Sequence, residues 1–266
     1  MALTLSAAVT AVFGAAFIVL GYLAKTQKQA LWGKLGSIWM IVGALALAAS
    51  LGFMSNHPLI ASLLASAIFL GVGIVAGSSL LVALTPLALE SALGGSTGYW
   101  HACYEIIVTE PTLTIIFFTV LGVLAWEVAK RLTGLHQNLS LAFARMCVIL
   151  VNFGFWIGSL WGDTPGKIWR SVEDASNFDY GANAQISPLV FVIGWALALL
   201  AAGAWGAKAG RRFMVNTVAT FGAIHLYTQW FERLGLDPIS VMVAGLATIG
   251  IGLALWRYNR TVLSKA

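Results

Sequence analysis

Long apolar stretches separated by short polar breaks run through the whole chain. About 20 predominantly apolar residues are needed for a helix to cross the ~30 Å core of a bilayer. The stretches near that length are Leu3–Leu23, Leu35–Met54, Pro58–Gly77, Pro111–Lys130, Leu139–Trp161, Pro188–Ala207, Phe213–Leu234 and Pro238–Trp256. A further stretch, Ser78–Leu93, is apolar but short and contains Pro86 and Glu90. The pattern predicts an all-α, polytopic transmembrane helical bundle.

The positions of the basic residues decide how Ser78–Leu93 is interpreted. Lys and Arg concentrate in the cytoplasmic loops of membrane proteins. If this stretch is a ninth crossing, eleven of the 15 Lys and Arg residues fall on one side, while most acidic residues fall on the other. With eight crossings the basic residues divide between the two sides. We therefore favour nine spans, with the N-terminus outside and the C-terminus cytoplasmic; a re-entrant or tilted half-helix is the alternative for Ser78–Leu93.

Proline positions favour the same topology. Pro58, Pro111, Pro188 and Pro238 each begin an apolar stretch, and proline suits the first turn of a helix, where its missing N–H leaves no hydrogen bond unmade. In the nine-span topology all four helices begin at the outer side.

Composition excludes a soluble protein. Of the 266 residues, 59% are hydrophobic and 9% are charged, whereas soluble domains carry roughly 25% charged residues. We expect residues 1–266 to form a single integral membrane domain in contact with the lipid bilayer. The net charge of +5 comes from small groups of basic residues at span ends rather than from a basic stripe, so no nucleic-acid partner is predicted.

Polar residues inside a span indicate functional sites by default. In Leu139–Trp161, Arg145, Asn152 and Ser159 are spaced by seven and share one helix face. One interpretation is a polar path along this face. The other is structural, with Arg145 extending to the interface or pairing with Glu127 and the remaining groups joining helices.

The span Phe213–Leu234 carries a second set of polar residues. His225, Gln229 and Glu232 form one stripe, while Asn216 falls on a different face. His225 lies near the middle of the span, where an imidazole can relay protons or serve as a hydrogen-bonding core residue. We hypothesise that Asn152 and His225 face a common cavity.

Two outer segments are long enough for structure of their own. Residues 94–110 begin with glycines and become amphipathic, with His101 and Glu105 at the i, i+4 spacing of a helix. Residues 162–187 are polar and contain Trp169. The aromatic residues of both segments suit the headgroup level of a membrane, or alternatively a small cap over an opening between helices.

Metal and cofactor chemistry is not predicted. The four histidines do not pair on one helix face, and no zinc, phosphate-loop or dinucleotide motif is present. Cys103 and Cys147 lack the paired spacing of redox or metal motifs. For the 28 glycines we expect a packing role, with Gly71, Gly73, Gly77, Gly245, Gly250 and Gly252 at helix contacts.

The runs Asn152–Asp163 and Val215–Gly235, together with the hairpin that closes at Asn259, resemble uncharacterised bacterial multi-pass membrane proteins of the DUF2157-like group. The resemblance implies a bacterial inner-membrane protein and transfers no catalytic residue. Three classes of function stay open: a scaffold, sensor or accessory subunit with membrane-protein partners or as a homo-oligomer; a transporter or channel; and an enzyme acting on lipid or quinone. The absence of convergent acid, base or metal groups favours the scaffold.

Overall fold

The computed structural model describes residues 2–27, 29–55, 57–100, 103–166, 185–234 and 238–263. Within these ranges the chain forms nine helices and one β-hairpin. The helices are α1 (Ala2–Lys25), α2 (Ala30–Met54), α3 (Pro58–Ala76), α4 (Ser79–Ala92), α5 (Pro111–Arg131), α6 (Gly134–Trp161), α7 (Pro188–Lys208), α8 (Arg212–Leu234) and α9 (Pro238–Leu263). The strands are β1 (Ser96–Trp100) and β2 (Cys103–Ile107).

Each of the nine predicted apolar stretches is therefore a helix, and the all-α prediction is confirmed. Helices α1, α2, α3, α5, α6 and α7 are long and apolar enough to cross a membrane, so the chain is a multi-pass integral membrane protein. Helix α4 has 14 residues, which is about 21 Å at ~1.5 Å per residue and shorter than the bilayer core. The predicted prolines stand in the first turn of α3, α5 and α7.

The described chain divides into two compact units. The first comprises the described residues up to 154 together with 165–166, and the second comprises residues 155–164 and the described residues from 185 onward. Helix α6 is continuous and contributes to both units.

Glycines bring α1 and α2 into unusually close contact in the first unit. Gly14 lies against Gly43, and Gly21 lies against Gly36. A Cβ atom on Gly21 would stand only 2.6 Å from the Gly36 carbonyl oxygen, and one on Gly43 only 2.5 Å from the Gly14 carbonyl oxygen. Because the glycines are seven residues apart on each helix, both lie on the face that meets the other helix. Helices α1 and α2 are antiparallel, and their backbones are in contact along this face.

A glycine turn joins α3 to α4. Gly77 adopts φ +71°, and the Ser78 N–H donates to the Gly73 carbonyl at 2.8 Å, which is the hydrogen bond that closes a helix through a left-handed residue. Gly77 also lies beside Leu135 in the first turn of α6. At the other end of α4, Glu90 contacts Thr114 in the first turn of α5. Helix α4 therefore runs antiparallel to α5, and its ends lie near the two ends of the α5–α6 pair.

Side chains from α1 and α2 donate hydrogen bonds to the last carbonyl groups of α3. The Lys25 ammonium donates to the Val75 carbonyl at 2.6 Å, and the Ser37 hydroxyl donates to the Ala76 carbonyl at 3.1 Å. A cation at this position also complements the negative end of the helix dipole. The C-terminal ends of α1 and α3 thus lie at the same end of the bundle, as alternate crossings require.

The segment between α4 and α5 is a β-hairpin rather than a helix. Strands β1 and β2 pair antiparallel, with Ser96 opposite Ile107 and Gly98 opposite Glu105. The Thr109 hydroxyl donates to the Gly94 carbonyl at 2.7 Å and closes the base of the hairpin. Because Glu105 belongs to a strand, the i, i+4 spacing of His101 and Glu105 does not place the two side chains on one face of a helix.

Helices α7, α8 and α9 and the last part of α6 make up the second unit. Gly158 of α6 lies directly against the ring of Phe191 on α7. Beyond the end of α6, Asp163 and Ile186 exchange two backbone hydrogen bonds of 3.0 and 2.8 Å. These two bonds join the segment that follows α6 to the segment that precedes α7. Asp163 is buried at this position.

Candidate functional site

The polar face predicted on α6 is partly interior. Asn152 and Ser159 are both buried, whereas Arg145 is exposed. The Asn152 amide donates to the Val148 carbonyl at 2.8 Å, and the Ser159 hydroxyl donates to the Trp156 carbonyl at 2.7 Å. Both groups use the backbone of their own helix, which supports the structural interpretation of these two residues. Glu127, considered above as a partner of Arg145, pairs with Lys130 at 2.5 Å.

The stripe on α8 runs from the interior toward the exposed end of the helix. His225 is half-buried, and its ring stands edge-on to Trp195 of α7 with 4.9 Å between the ring centroids. The His225 Nδ1 atom is buried and has no hydrogen-bond partner within the described ranges. Gln229 is half-buried and Glu232 is exposed, so this stripe reaches solvent only at its last member.

Hydrogen bonds from other faces of α8 join it to its neighbours in the second unit. The Tyr227 hydroxyl donates to the Ala244 carbonyl on α9 at 3.1 Å and accepts from Thr248 at 2.7 Å. Near the other end of α8, the Asn259 amide donates to the Asn216 side chain at 3.1 Å. Asn216, a candidate site residue, thus holds α9 against α8.

A groove of about 520 Å³ lies along α8. Its lining residues are Trp156, Thr220, Ala223, Ile224, Tyr227, Thr228 and Phe231. All of them except Trp156 belong to α8, where each lies three or four residues from another member of the set, so they form a single helix face. The Trp156 indole N–H donates to the Thr228 hydroxyl at 3.0 Å and fixes one wall.

The outer-face candidates are only partly described. His101 and Trp169 lie outside the described residues, and Glu105 is located only by its place in β2. A common cavity for Asn152 and His225 stays a prediction, since the two residues belong to different units.

Buried acidic residues are the feature that sequence reasoning missed. Glu90 and Glu110 are 6% and 3% exposed, respectively. The Thr114 hydroxyl is itself fully buried and donates to the Glu90 carboxylate. Its oxygen lies 3.0 Å from Glu90 Oε1 and 3.2 Å from Oε2. The available signal was a carboxylate within an otherwise apolar run, the residue type that membranes tolerate least without a function.

No group of three or more His, Cys, Asp or Glu side chains suited to a metal ion occurs in the part of the chain that is described. Comparisons of the chain with family models, curated proteins and solved structures find no match. The resemblance to the DUF2157-like group therefore stays a prediction, and the function must be argued from geometry.

Proposed function

We propose that this integral membrane protein is a scaffold or accessory subunit of the bacterial inner membrane, and that it holds a transmembrane helix of a partner in the α8 groove. Its N-terminus lies outside and its C-terminus lies in the cytoplasm, as the distribution of basic residues favours. The observation that carries the proposal is the single-face lining of the groove by α8.

The polar atoms of the groove support a packing role. The Thr220 hydroxyl donates to the Asn216 carbonyl at 2.9 Å, and the Thr228 hydroxyl accepts from Trp156. The Tyr227 hydroxyl bonds to Ala244 and Thr248. Since these groups already have partners within the chain, recognition here depends on shape and apolar contact. A polar solute or a quinone head group would need donors and acceptors that point into the groove.

The dimensions of the groove favour a helix over a lipid tail. From Thr220 to Phe231 the lining extends about 16 Å along α8, at ~1.5 Å per residue. Small residues stand toward one end, at Thr220 and Ala223, and aromatic rings stand toward the other, at Tyr227 and Phe231. Small residues permit close approach of a second helix in lipid, while aromatic rings are the common anchors of interfaces.

The test is photo-cross-linking in native membranes with a diazirine amino acid at Ile224, and with Leu226 as the matched control. Both are aliphatic residues of α8, but Leu226 does not line the groove. We expect one discrete protein adduct from position 224 and lipid adducts from position 226. Filling the groove with Ala223→Trp should abolish the protein adduct. A differently tagged second copy distinguishes a homo-oligomer from another protein. Lipid adducts alone from both positions would contradict the proposal.

One observation favours a transporter as a second candidate. The buried Nδ1 atom of His225 has no partner among the described residues, so the imidazole has a nitrogen available to exchange a proton. Reconstituted vesicles test this directly. A pH-dependent solute flux that His225→Ala abolishes would support transport, whereas no flux, or a flux unaffected by the substitution, would leave the scaffold as the better account.

A further inference from the structure

The Glu90 carboxyl group lies in the last turn of α4 among apolar neighbours. Leu89 on the same helix and Leu93 just after its end pack against a buried cluster of Phe118, Cys147 and Leu150. Glu90 itself is 6% exposed. The one hydrogen-bond donor to its carboxyl group within the described ranges is the Thr114 hydroxyl on α5.

The groups around Glu90 supply no opposite charge among the described residues. Helix α3 has no ionisable residue in its sequence. Immediately before α5, at the same end, the ionisable residue is Glu110, which is buried and acidic. Near the middle of α6, Cys147 lies in the apolar cluster, and the cation Arg145 lies on the exposed side of that helix. The ion pair formed by Glu127 and Lys130 lies at the opposite end of α5.

An ionised carboxylate in such a position is costly. Burial of an unpaired ion is strongly unfavourable even after local relaxation, and one hydroxyl donor replaces only part of the lost hydration. Proton binding removes the charge without moving a helix. A cation would serve the same purpose, but it needs several oxygen ligands, and in the described part of the chain acidic side chains do not gather in a group of three.

The base of the β-hairpin rests directly on this carboxyl group. The Gly95 N–H donates to the Glu90 carbonyl at 2.8 Å. A Cβ atom on Gly95 would stand 2.5 Å from Glu90 Cγ and 3.0 Å from its Oε1 atom, so the backbone of Gly95 covers the side chain. Thr109 then ties the outgoing strand back to Gly94. Any water that solvates a charged Glu90 must displace this cover.

We propose that Glu90 is a proton-binding site, and that proton binding holds the base of the β-hairpin against α4 and α5. When the proton leaves, the charged Glu90 carboxylate becomes hydrated. Water enters between Glu90 and Gly95, and the Gly94–Gly95 segment separates from the Glu90 side chain. Because the closed arrangement binds a proton that the open one releases, opening becomes more favourable as pH rises. The inference is independent of the α8 groove, which belongs to the other unit.

Proton binding by Glu90 is tested by labelling the intact protein in membranes with a fluorescent hydrophobic carbodiimide. This reagent takes the proton of a neutral carboxyl group onto one nitrogen while the carboxylate oxygen bonds to its central carbon, so it labels protonated carboxyls in apolar surroundings. We expect one main adduct, which peptide mass spectrometry places on Glu90. The adduct should be lost in Glu90→Gln and retained in the control Glu127→Gln, whose carboxyl group is exposed. Equal labelling of wild type and Glu90→Gln would overturn the proton site.

The coupling to the hairpin is tested by maleimide labelling of Val108→Cys, a buried position beside Thr109 at the base of the hairpin, in a background that lacks Cys103 and Cys147. The ratio of the wild-type rate to the Glu90→Gln rate cancels the pH dependence of the thiol itself. We expect this ratio to rise several-fold between acidic and alkaline pH, because only the wild-type carboxyl group ionises. A ratio that stays constant over a range in which carbodiimide labelling changes would refute the coupling and leave proton binding alone.

Discussion

Substitution of Gly36 by alanine tests the close contact of α1 and α2. The new Cβ atom would stand 2.5 Å from the Gly21 carbonyl oxygen and 2.8 Å from the Lys25 backbone nitrogen. Both neighbours are backbone atoms of a helix and cannot rotate away. The two helices must therefore separate by roughly 1 Å, and overpacking of this kind costs typically about 1–3 kcal/mol.

Gly33 on the same helix provides the matched control. A Cβ atom at this position meets no other atom within 4 Å. Both substitutions replace glycine by alanine in α2, so both gain about 1 kcal/mol of helix propensity, and this gain cancels in their difference. We expect Gly36→Ala to be less stable than Gly33→Ala by about 1–3 kcal/mol, which is the cost of overpacking alone.

Reversible unfolding in mixed detergent micelles, followed by circular dichroism as the denaturing detergent increases, measures this difference. A double variant that also carries Gly21→Ala sharpens the test. Gly21 and Gly36 face one another, so once the helices have separated the second alanine should cost less than the first, and the two effects should not add. Equal stability of Gly36→Ala and Gly33→Ala would refute the backbone contact.

Two further substitutions test local geometry. Gly77→Ala should destabilise the protein by about 1–2 kcal/mol, since a Cβ atom is unfavourable at φ +71°; a stabilised variant in the same unfolding assay would contradict the left-handed turn. Tyr227→Phe removes the hydrogen bond to the Ala244 carbonyl at 3.1 Å and should cost about 0.5–1 kcal/mol, as such bonds do in membranes. Tyr22→Phe on the exposed surface of α1 serves as its control, and equal effects of the two substitutions would argue against that bond.

The sequence by itself determined the positions of the helices. An apolar run must satisfy its backbone polar groups within an α-helix when it is placed in lipid, so the apolar stretches located the nine helices of the described residues, including α4, whose stretch is too short to cross the bilayer core. Proline sharpened the starts of α3, α5 and α7, because it belongs in the first turn of a helix. These signals are local and require no knowledge of neighbouring helices.

Pairing between helices depended on the tertiary structure. Among the glycines expected at contacts, Gly73 and Gly77 lie against a neighbour, whereas Gly71, Gly245, Gly250 and Gly252 meet nothing within 4 Å. Close contact of one helix backbone with another occurs instead between α1 and α2, at Gly14, Gly21, Gly36 and Gly43. A glycine has the same local preferences on either surface of a helix, so only the partner backbone distinguishes a contact from an open position.

The candidate sites divide in the same way. Intramembrane position alone singled out Asn152 and His225, and the structure shows that Asn152 bonds to its own helix while the His225 ring stands against Trp195. Glu90 appeared in the sequence only as an obstacle to a ninth span. Its importance arises because α5 supplies Thr114 and the hairpin supplies Gly95, from positions 24 and 5 residues away along the chain. Burial of a carboxyl group is a property of everything packed around it, and that packing was decided by the tertiary structure.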